Sequence, residues 1–307
     1  MKSVPGEGMI PLERAGRCGE VLRRKEIEKA RAEWDSAYPP GGNLLRRPYV
    51  YAVGPDEIRI TAPLLVTDGR PGKPSQSGPR PLSDGEGGED LTKRADNVGR
   101  ALRAVYDLIK CNEWQYFVTQ TADGALIPRD DLPGIVARMS RGVSDQNKRK
   151  RHQGSRIRYL WVPELHSDGQ AWHLHGVMAG LSSEDLRRNQ NGFLEWSWSR
   201  DHVGFFSLSA IRSRDRTASY IRKYVTKNIA AGGHRAGAHL YYCSRGLERP
   251  VRMALGDDLQ NTDMMRWAKE NATFCKPGEW ADTYTLQGPE AEAFRRRWGD
   301  FLEVSPA

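Results

Sequence analysis

Trp172-His173-Leu174-His175-Gly176, followed further along by Tyr220-Ile221-Arg222-Lys223-Tyr224-Val225-Thr226-Lys227, decides how this chain is read. In the first piece two histidines flank one apolar residue. Alternate side chains of a strand share a face, so His173 and His175 project together while Leu174 turns into a core. In the second piece Tyr-x-x-Lys occurs twice. On a helix, positions 220, 223, 224 and 227 make one stripe, and Ile221, Val225 and Ile229 make an adjoining apolar stripe that packs the helix down. An imidazole pair suited to a metal, with tyrosines beside lysines, points to chemistry on a phosphodiester.

Outward from these pieces the chain alternates short strands and helices. Ile157, Tyr159 and Trp161 alternate with Arg156, Arg158 and Leu160, so a strand runs to Leu165. His166-Ser167-Asp168-Gly169-Gln170 is a turn, and Ala171–Ala179 returns antiparallel with the histidines. Glu164 then lies on the strand facing them, where its carboxylate can join the same ion; His166, nearer the turn, is the reserve ligand. Upstream, Val98, Leu102, Val105 and Ile109 mark an amphipathic helix ending near Asn112, and Trp114–Thr121 reads as a core strand. Asp130 or Asp131 caps a helix through Arg141, and residues 144–155 form a polar basic loop. Ser182 with Asp185 predicts a short capped helix. Phe205–Ile211 is a further strand, followed by the tyrosine helix over 217–229. The order predicts an α+β fold, a ferredoxin/RRM-like antiparallel sheet with helices packed on one face.

Three regions are expected: residues 1–90 as an accessory N-terminal region, 91–255 as the catalytic domain, and 256–307 as a C-terminal helical extension. Within the first, Glu20–Trp34 is helix-permissive, Tyr49–Val53 and Ile58–Ile60 read as strands about a turn, and Asp68–Asp90 reads as a Gly/Pro-rich linker. The chain of 307 residues carries a net charge of +8. Arg138–Arg158 has eight Arg/Lys against one acid, and Arg212–Arg252 has ten against two. Basic runs are ordinarily solvated faces, but two of them bracketing candidate chemistry favour a nucleic-acid partner. Cys18, Cys111, Cys243 and Cys275 are scattered, without a Cys-x-x-Cys, which excludes a ribbon-type zinc site and points to a reduced cytoplasmic protein. No apolar run is long enough for a membrane span.

Phe117-Val118-Thr119-Gln120-Thr121, then Glu164 and His173-Leu174-His175, then Tyr220–Lys227, in that order, resemble the rolling-circle replication initiators of the HUH endonuclease superfamily. Those of small single-stranded DNA phages and related plasmid or integrated elements are the most similar. The resemblance spans roughly residues 94–250, with Tyr241–Pro250 also similar; Gln120 stands where an apolar residue is common. It implies that His173, His175 and Glu164 bind a divalent ion, Mn²⁺ or Mg²⁺, with zinc open on ligand type alone. It implies that Tyr220 or Tyr224 attacks single-stranded DNA at an origin, leaving a 5′-phosphotyrosine link and a free 3′-OH. Lys223 and Lys227 would hold phosphate or phenolate. Walker patterns are absent, so a host helicase and DNA polymerase are the expected partners, in a bacterial cell or phage-infected host.

Two other readings share this fold: a non-cleaving sequence-specific DNA-binding regulator, and a transposase of the same superfamily. Binding alone needs neither the His pair nor both tyrosines, and a transposase would suit a shorter chain with one tyrosine. Lesser signals are a His234, His239 and Cys243 cluster, for which a basic loop is the plainer reading. Trp196, Trp198, Tyr241 and Tyr242 are candidate base-stacking aromatics, though aromatics at strand spacing are ordinarily core.

Overall fold

The computed structural model describes residues 10–11, 48–63, 88–149, 156–230, 239–255, 258–276 and 281–304. In chain order these give β1 (Ile10–Pro11), β2 (Tyr49–Ala52), β3 (Glu57–Pro63), α1 (Gly88–Cys111), β4 (Tyr116–Ala122), α2 (Leu132–Arg149), β5 (Arg158–Leu165), β6 (Trp172–Ala179), β7 (Leu186–Arg188) and β8 (Leu194–Trp196). There follow α3 (Ser197–His202), β9 (Gly204–Ala210), α4 (Arg214–Ala230), β10 (Tyr242–Cys243), β11 (Val251–Leu255), α5 (Asp258–Asn271), β12 (Phe274–Lys276), β13 (Ala281–Gln287), α6 (Pro289–Trp298) and β14 (Leu302–Val304). The fold is α+β, as expected, with two antiparallel sheets. The chain divides into two compact units, residues 83–249 and residues 1–82 with 250–307.

The unit of residues 83–249 carries the sheet β10-β5-β6-β4-β9-β8-β7. Its centre, β5-β6-β4-β9, has the strand order of a ferredoxin-like sheet. Alternation along the strands divides the side chains between two cores. Val118, Trp161, Leu174, Met178, Phe206 and Leu208 meet Ile135, Val136, Met139 and Val143 of α2. Leu160, Val162 and Val177 point the other way and meet α1 (Val105, Leu108, Ile109) and α4 (Ala218, Ile221, Val225). The helices therefore cover both faces, not one. Hydrophobic periodicity says that a helix is covered, not which side of a sheet covers it.

Local departures have visible causes. Asp131 caps α2, its Oδ1 accepting from the Gly134 amide at 2.9 Å, as the sequence predicts. The helix runs to Arg149 rather than Arg141, taking in part of the expected basic loop. Val143 is buried there, and Asn147 exchanges two hydrogen bonds with the Ile157 backbone (2.7 and 3.0 Å). The capped helix after Ser182 is only a 3-10 turn, Ser183–Asp185, though Asp185 does accept from the Ser182 amide at 2.6 Å. The turn between β5 and β6 is as read: the Gly169 amide bonds His166 O, and Gly169 takes φ 70°.

The other unit is built around the sheet β1-β12-β13-β3-β2-β11-β14. Glu57–Pro63 pairs with Ala281–Gln287, and Val50–Ala52 with Val251–Met253. The first and last segments of the chain, expected as two separate appendages, thus share one sheet. The C-terminal segment is not merely helical, since it supplies β12, β13 and β14. The reason is that β2 and β3 put Val50, Ile58, Ile60 and Ala62 on one face, more apolar surface than a hairpin can bury alone. Tyr284 and Leu286 of β13 extend that face, and Met264, Met265 and Phe294 of α5 and α6 cover it. The expected helix over residues 20–34, and residues 68–87 of the expected linker, lie outside the described residues; residues 88–90 are already in α1.

Candidate active site

β6 and its neighbours set the site by register. Glu164 of β5 stands directly opposite His173, and His173 and His175 stand opposite Thr121 and Thr119 of β4. With a period of two, all five side chains emerge on the face that α4 partly covers. The two threonines belong to the sequence motif, which assigns them no role. Thr119 Oγ1 lies 3.1 Å from His175 Nδ1, and Thr121 Oγ1 lies 3.3 Å from His173 Nδ1. Each hydroxyl holds one ring nitrogen and directs Nε2 outward. The Thr-x-Thr spacing, in step with His-x-His, was the signal available in the sequence.

The imidazoles form a row. Ring centroids of His166 and His173 are 5.3 Å apart, those of His173 and His175 6.2 Å, with interplanar angles of 15° in both pairs. The row ends on Tyr224, whose ring stacks on His175 at 3.8 Å and 10°. His175 Nε2 is 2.8 Å from Glu164 Oε2, and the other carboxylate oxygen accepts from Lys227 Nζ at 3.2 Å. His166, the reserve ligand, is instead engaged by Asp168 at 3.0 Å. Burial lowers the His173 pKa, and the positive charges of His166 and Arg129 add to that against Glu164 and Asp168. Burial also takes His175 down to about 4, with the Glu164 carboxylate opposing the shift. Both rings are therefore neutral at pH 7, the form that ligates a metal.

The two tyrosines part company. Tyr220 is 46% exposed and Tyr224 only 7%. The Tyr224 hydroxyl donates to the Tyr220 oxygen at 2.7 Å. Burial and that hydrogen bond raise the Tyr224 pKa above that of an ordinary phenol. Lys223 Nζ lies 5.8 Å from the centre of the Tyr220 ring, and Lys227 Nζ 5.6 Å from that of Tyr224. Phe117 wedges between, 5.4 Å from Tyr220 and 6.4 Å from His175 by ring centroids. All seven expected site residues, Glu164, His173, His175, Tyr220, Lys223, Tyr224 and Lys227, thus lie on one face around β6 and α4.

The stripe of α4 is fixed from its N-terminus. Buried Lys110 of α1 pairs with Asp215 in the first turn, and Arg214 donates to Lys110 O at 3.1 Å and to Glu113 at 2.8 Å. Nothing in the sequence marked this clasp. Below the site, Gln120 is buried and polar on both sides: it accepts from Ser199 Oγ at 2.5 Å and donates to Thr121 O at 2.9 Å. That network explains a polar residue where an apolar one is common.

The donor set suits a divalent ion. His173 Nε2 is buried without a hydrogen-bond partner, an atom that a cation satisfies without further cost. His175 Nε2 and a Glu164 oxygen stand beside it, giving two nitrogens and one oxygen. Among the described residues no three His, Cys, Asp or Glu side chains are gathered around one point; Glu164 closes on His175 and Lys227 instead. Of the lesser signals, Trp196 is fully buried between sheet and α2 and is not available to bases. Trp198 stacks on His202 at 4.7 Å, and Tyr241 and Tyr242 pack against the cores. His239 faces Tyr242 rather than a metal cluster, and His234 lies outside the described residues.

Residues 115–229 match a family model for the replication-associated proteins of the ORF2 type. The match indicates a replication-initiator-type protein. It spans β4 to α4 and so contains every residue of the site just described. No curated protein and no solved structure matches the chain. Among the described residues, no helix is long and apolar enough to cross a membrane.

Proposed function

We propose that this protein starts rolling-circle replication as an HUH-type enzyme, nicking single-stranded DNA at an origin and later rejoining the strand. The observation that carries the reading is the stacking of Tyr224 on His175, with Glu164 held between His175 and Lys227. It puts candidate nucleophile, imidazoles, carboxylate and ammonium within one turn of helix and two strands. A tyrosine oxygen forms a bond to the scissile phosphorus as the bond to the 3′ oxygen breaks. The phenol gives up its proton and the freed 3′ oxygen takes one up. The phosphodiester energy is kept in the 5′-phosphotyrosine, so the reverse attack by a 3′-OH reseals the strand. The second tyrosine, hydrogen-bonded to the first, serves the second cut that ends a round.

Lys223 and Lys227 neutralise phosphate charge from the open side of α4. His173, His175 and Glu164 would hold Mn²⁺ or Mg²⁺, which when bound supplies Lewis acidity at a phosphate oxygen. Thr119 and Thr121 keep the imidazoles turned for that role. The free 3′-OH primes a host polymerase, and unwinding falls to a host helicase.

The test is a denaturing gel of the purified protein with labelled single-stranded DNA from its own locus, with Mn²⁺ or EDTA. A covalent protein–DNA band is expected with metal, and it should vanish in the Tyr220→Phe, Tyr224→Phe double variant. Retarded DNA on native gels with no covalent band under any metal would instead support a binding regulator.

A further inference from the structure

We infer that β9, on the open half of the sheet beside the histidines, is a track for single-stranded DNA in which Phe205 stacks a base next to the phosphate held at His173. This rests on the reading of the site given above. Register places it. Phe205 pairs with Thr121, which pairs with His173, and Ser207 and Ser209 pair likewise with Thr119 and Phe117. Phe205, Ser207 and Ser209 therefore share the face of the two histidines. Phe205 lies two strands from His173, about 10 Å at the usual strand spacing. That is within reach of a base on a nucleotide adjoining the bound phosphate.

The side chains of this strip differ from those beside it. The core under α1 and α4 draws its sheet residues from β5 and β6, with Phe117 of β4 at its margin, and none from β9. The opposite residues of β9, Phe206 and Leu208, are buried against the other core. A strand with one wet face ordinarily alternates apolar and polar. Ser207 and Ser209 obey that rule, and Phe205 breaks it, holding a ring 37% exposed in line with the catalytic residues. The serines are small enough for a nucleotide chain to lie close to the backbone and can hydrogen-bond it. Cations stand at both ends: exposed Arg212 and Arg216 follow β9 and lead along α4 to Tyr220. Arg129 is near enough to His173 to influence it, and Arg200 lies 3.9 Å from Asp123. Glu195, in the neighbouring β8, is buried and hydrogen-bonded by Asn189, with Arg187 3.8 Å away. An aromatic face between phosphate-binding cations suits an unpaired base; a paired base has its faces occupied already.

Short single-stranded oligonucleotides carrying 2-aminopurine at successive positions test this on the full chain. Fluorescence should be quenched at one or two adjacent positions on binding. Phe205→Ala should abolish that quenching and weaken binding by about 5- to 100-fold, whereas Phe205→Tyr should keep both. The ring is exposed, so the thermal midpoint of Phe205→Ala should match the parent's, which separates a lost contact from a lost fold. Unaltered quenching and affinity in Phe205→Ala overturn the inference, as does equal binding of the duplex. The covalent-adduct gel run on the same samples separates the two readings. Adduct formation with the same DNA-concentration dependence in Phe205→Ala and parent removes the track and leaves the nickase. Phe205-dependent quenching without any adduct removes the nickase and leaves the track.

Discussion

At Tyr220 and Tyr224 the hydroxyls differ in what they are free to do. Tyr224 lies under Tyr220, stacked on His175, and spends its proton on the Tyr220 oxygen. A donor aimed at Tyr220 stabilises a phenolate there, and burial keeps Tyr224 protonated. Tyr220 is then the first nucleophile. Tyr220→Phe should lose the initial adduct, while Tyr224→Phe should slow its formation only about tenfold, the worth of one charge-assisted hydrogen bond; single-turnover gels measure both. Equal loss in the two variants would refute the order. His175 gives a pH dependence. Its pKa is about 4 in the fold, from burial first, against 6.5 in the unfolded chain. Above pH 6.5 the ring is neutral in both states and the fold carries no penalty. Below it the unfolded chain binds a proton that the fold resists. Stability of the metal-free protein should therefore fall between pH 6.5 and 4, by on the order of 3 kcal/mol in all. His175→Gln should flatten that part of a urea-midpoint profile; an unchanged slope would place the titration elsewhere. The Tyr-x-x-Lys spacing was legible in the sequence, but the inequality of the tyrosines was not. It follows from the rotation of α4, which sinks Tyr224 along with its neighbours Ile221 and Val225.

The β5–β6 hairpin is the element that assembles the site, and Gly176 is where it is tightest. A Cβ on Gly176 would run into the Leu160 carbonyl oxygen, so only glycine lets the two strands close at that point. Gly176→Ala should force β5 away from β6, costing about 3 kcal/mol as overpacking against unyielding backbone. Because Glu164 and His175 sit on the two strands, adduct formation should fall more than stability alone predicts. Urea unfolding and the gel assay, run at a temperature where the variant is folded, separate the two effects; a variant as stable and active as the parent would show that the strands have slack. This hairpin was readable from the sequence because alternation and the Asp168-Gly169 turn fix register locally. The extra turns of α2 were not, since Val143 and Asn147 hold them by contacts with residues distant along the chain. Nor were β7, β8 and β10, whose two or three residues leave no period to detect.

On the scale of the whole molecule, charge and connectivity have separate lessons. The basic run starting at Arg138 lies largely on α2, which packs the face of the sheet away from the histidines. Adjacency in sequence suggests that both basic runs border the chemistry; only the run that includes α4 does. The division of the chain also differs from its linear order. Residues 83–249 hold both cores of the site-bearing sheet and every site residue. Trimmed to that segment, the protein should unfold cooperatively and still form the metal-dependent adduct. Removal of residues 256–307 alone should be more disruptive than their number implies. It strips β13 from β3 and takes away Met264, Met265 and Phe294, baring Val50, Ile58 and Ile60. A hairpin left with one apolar face in water is marginal at best and seeks other edges. That truncation should aggregate, or lose residues 48–63 to limited proteolysis, while the segment 83–249 survives intact. Persistence of a protease-resistant 48–63 without its C-terminal partners would mean that the N-terminal strands are held by something other than the sheet they share.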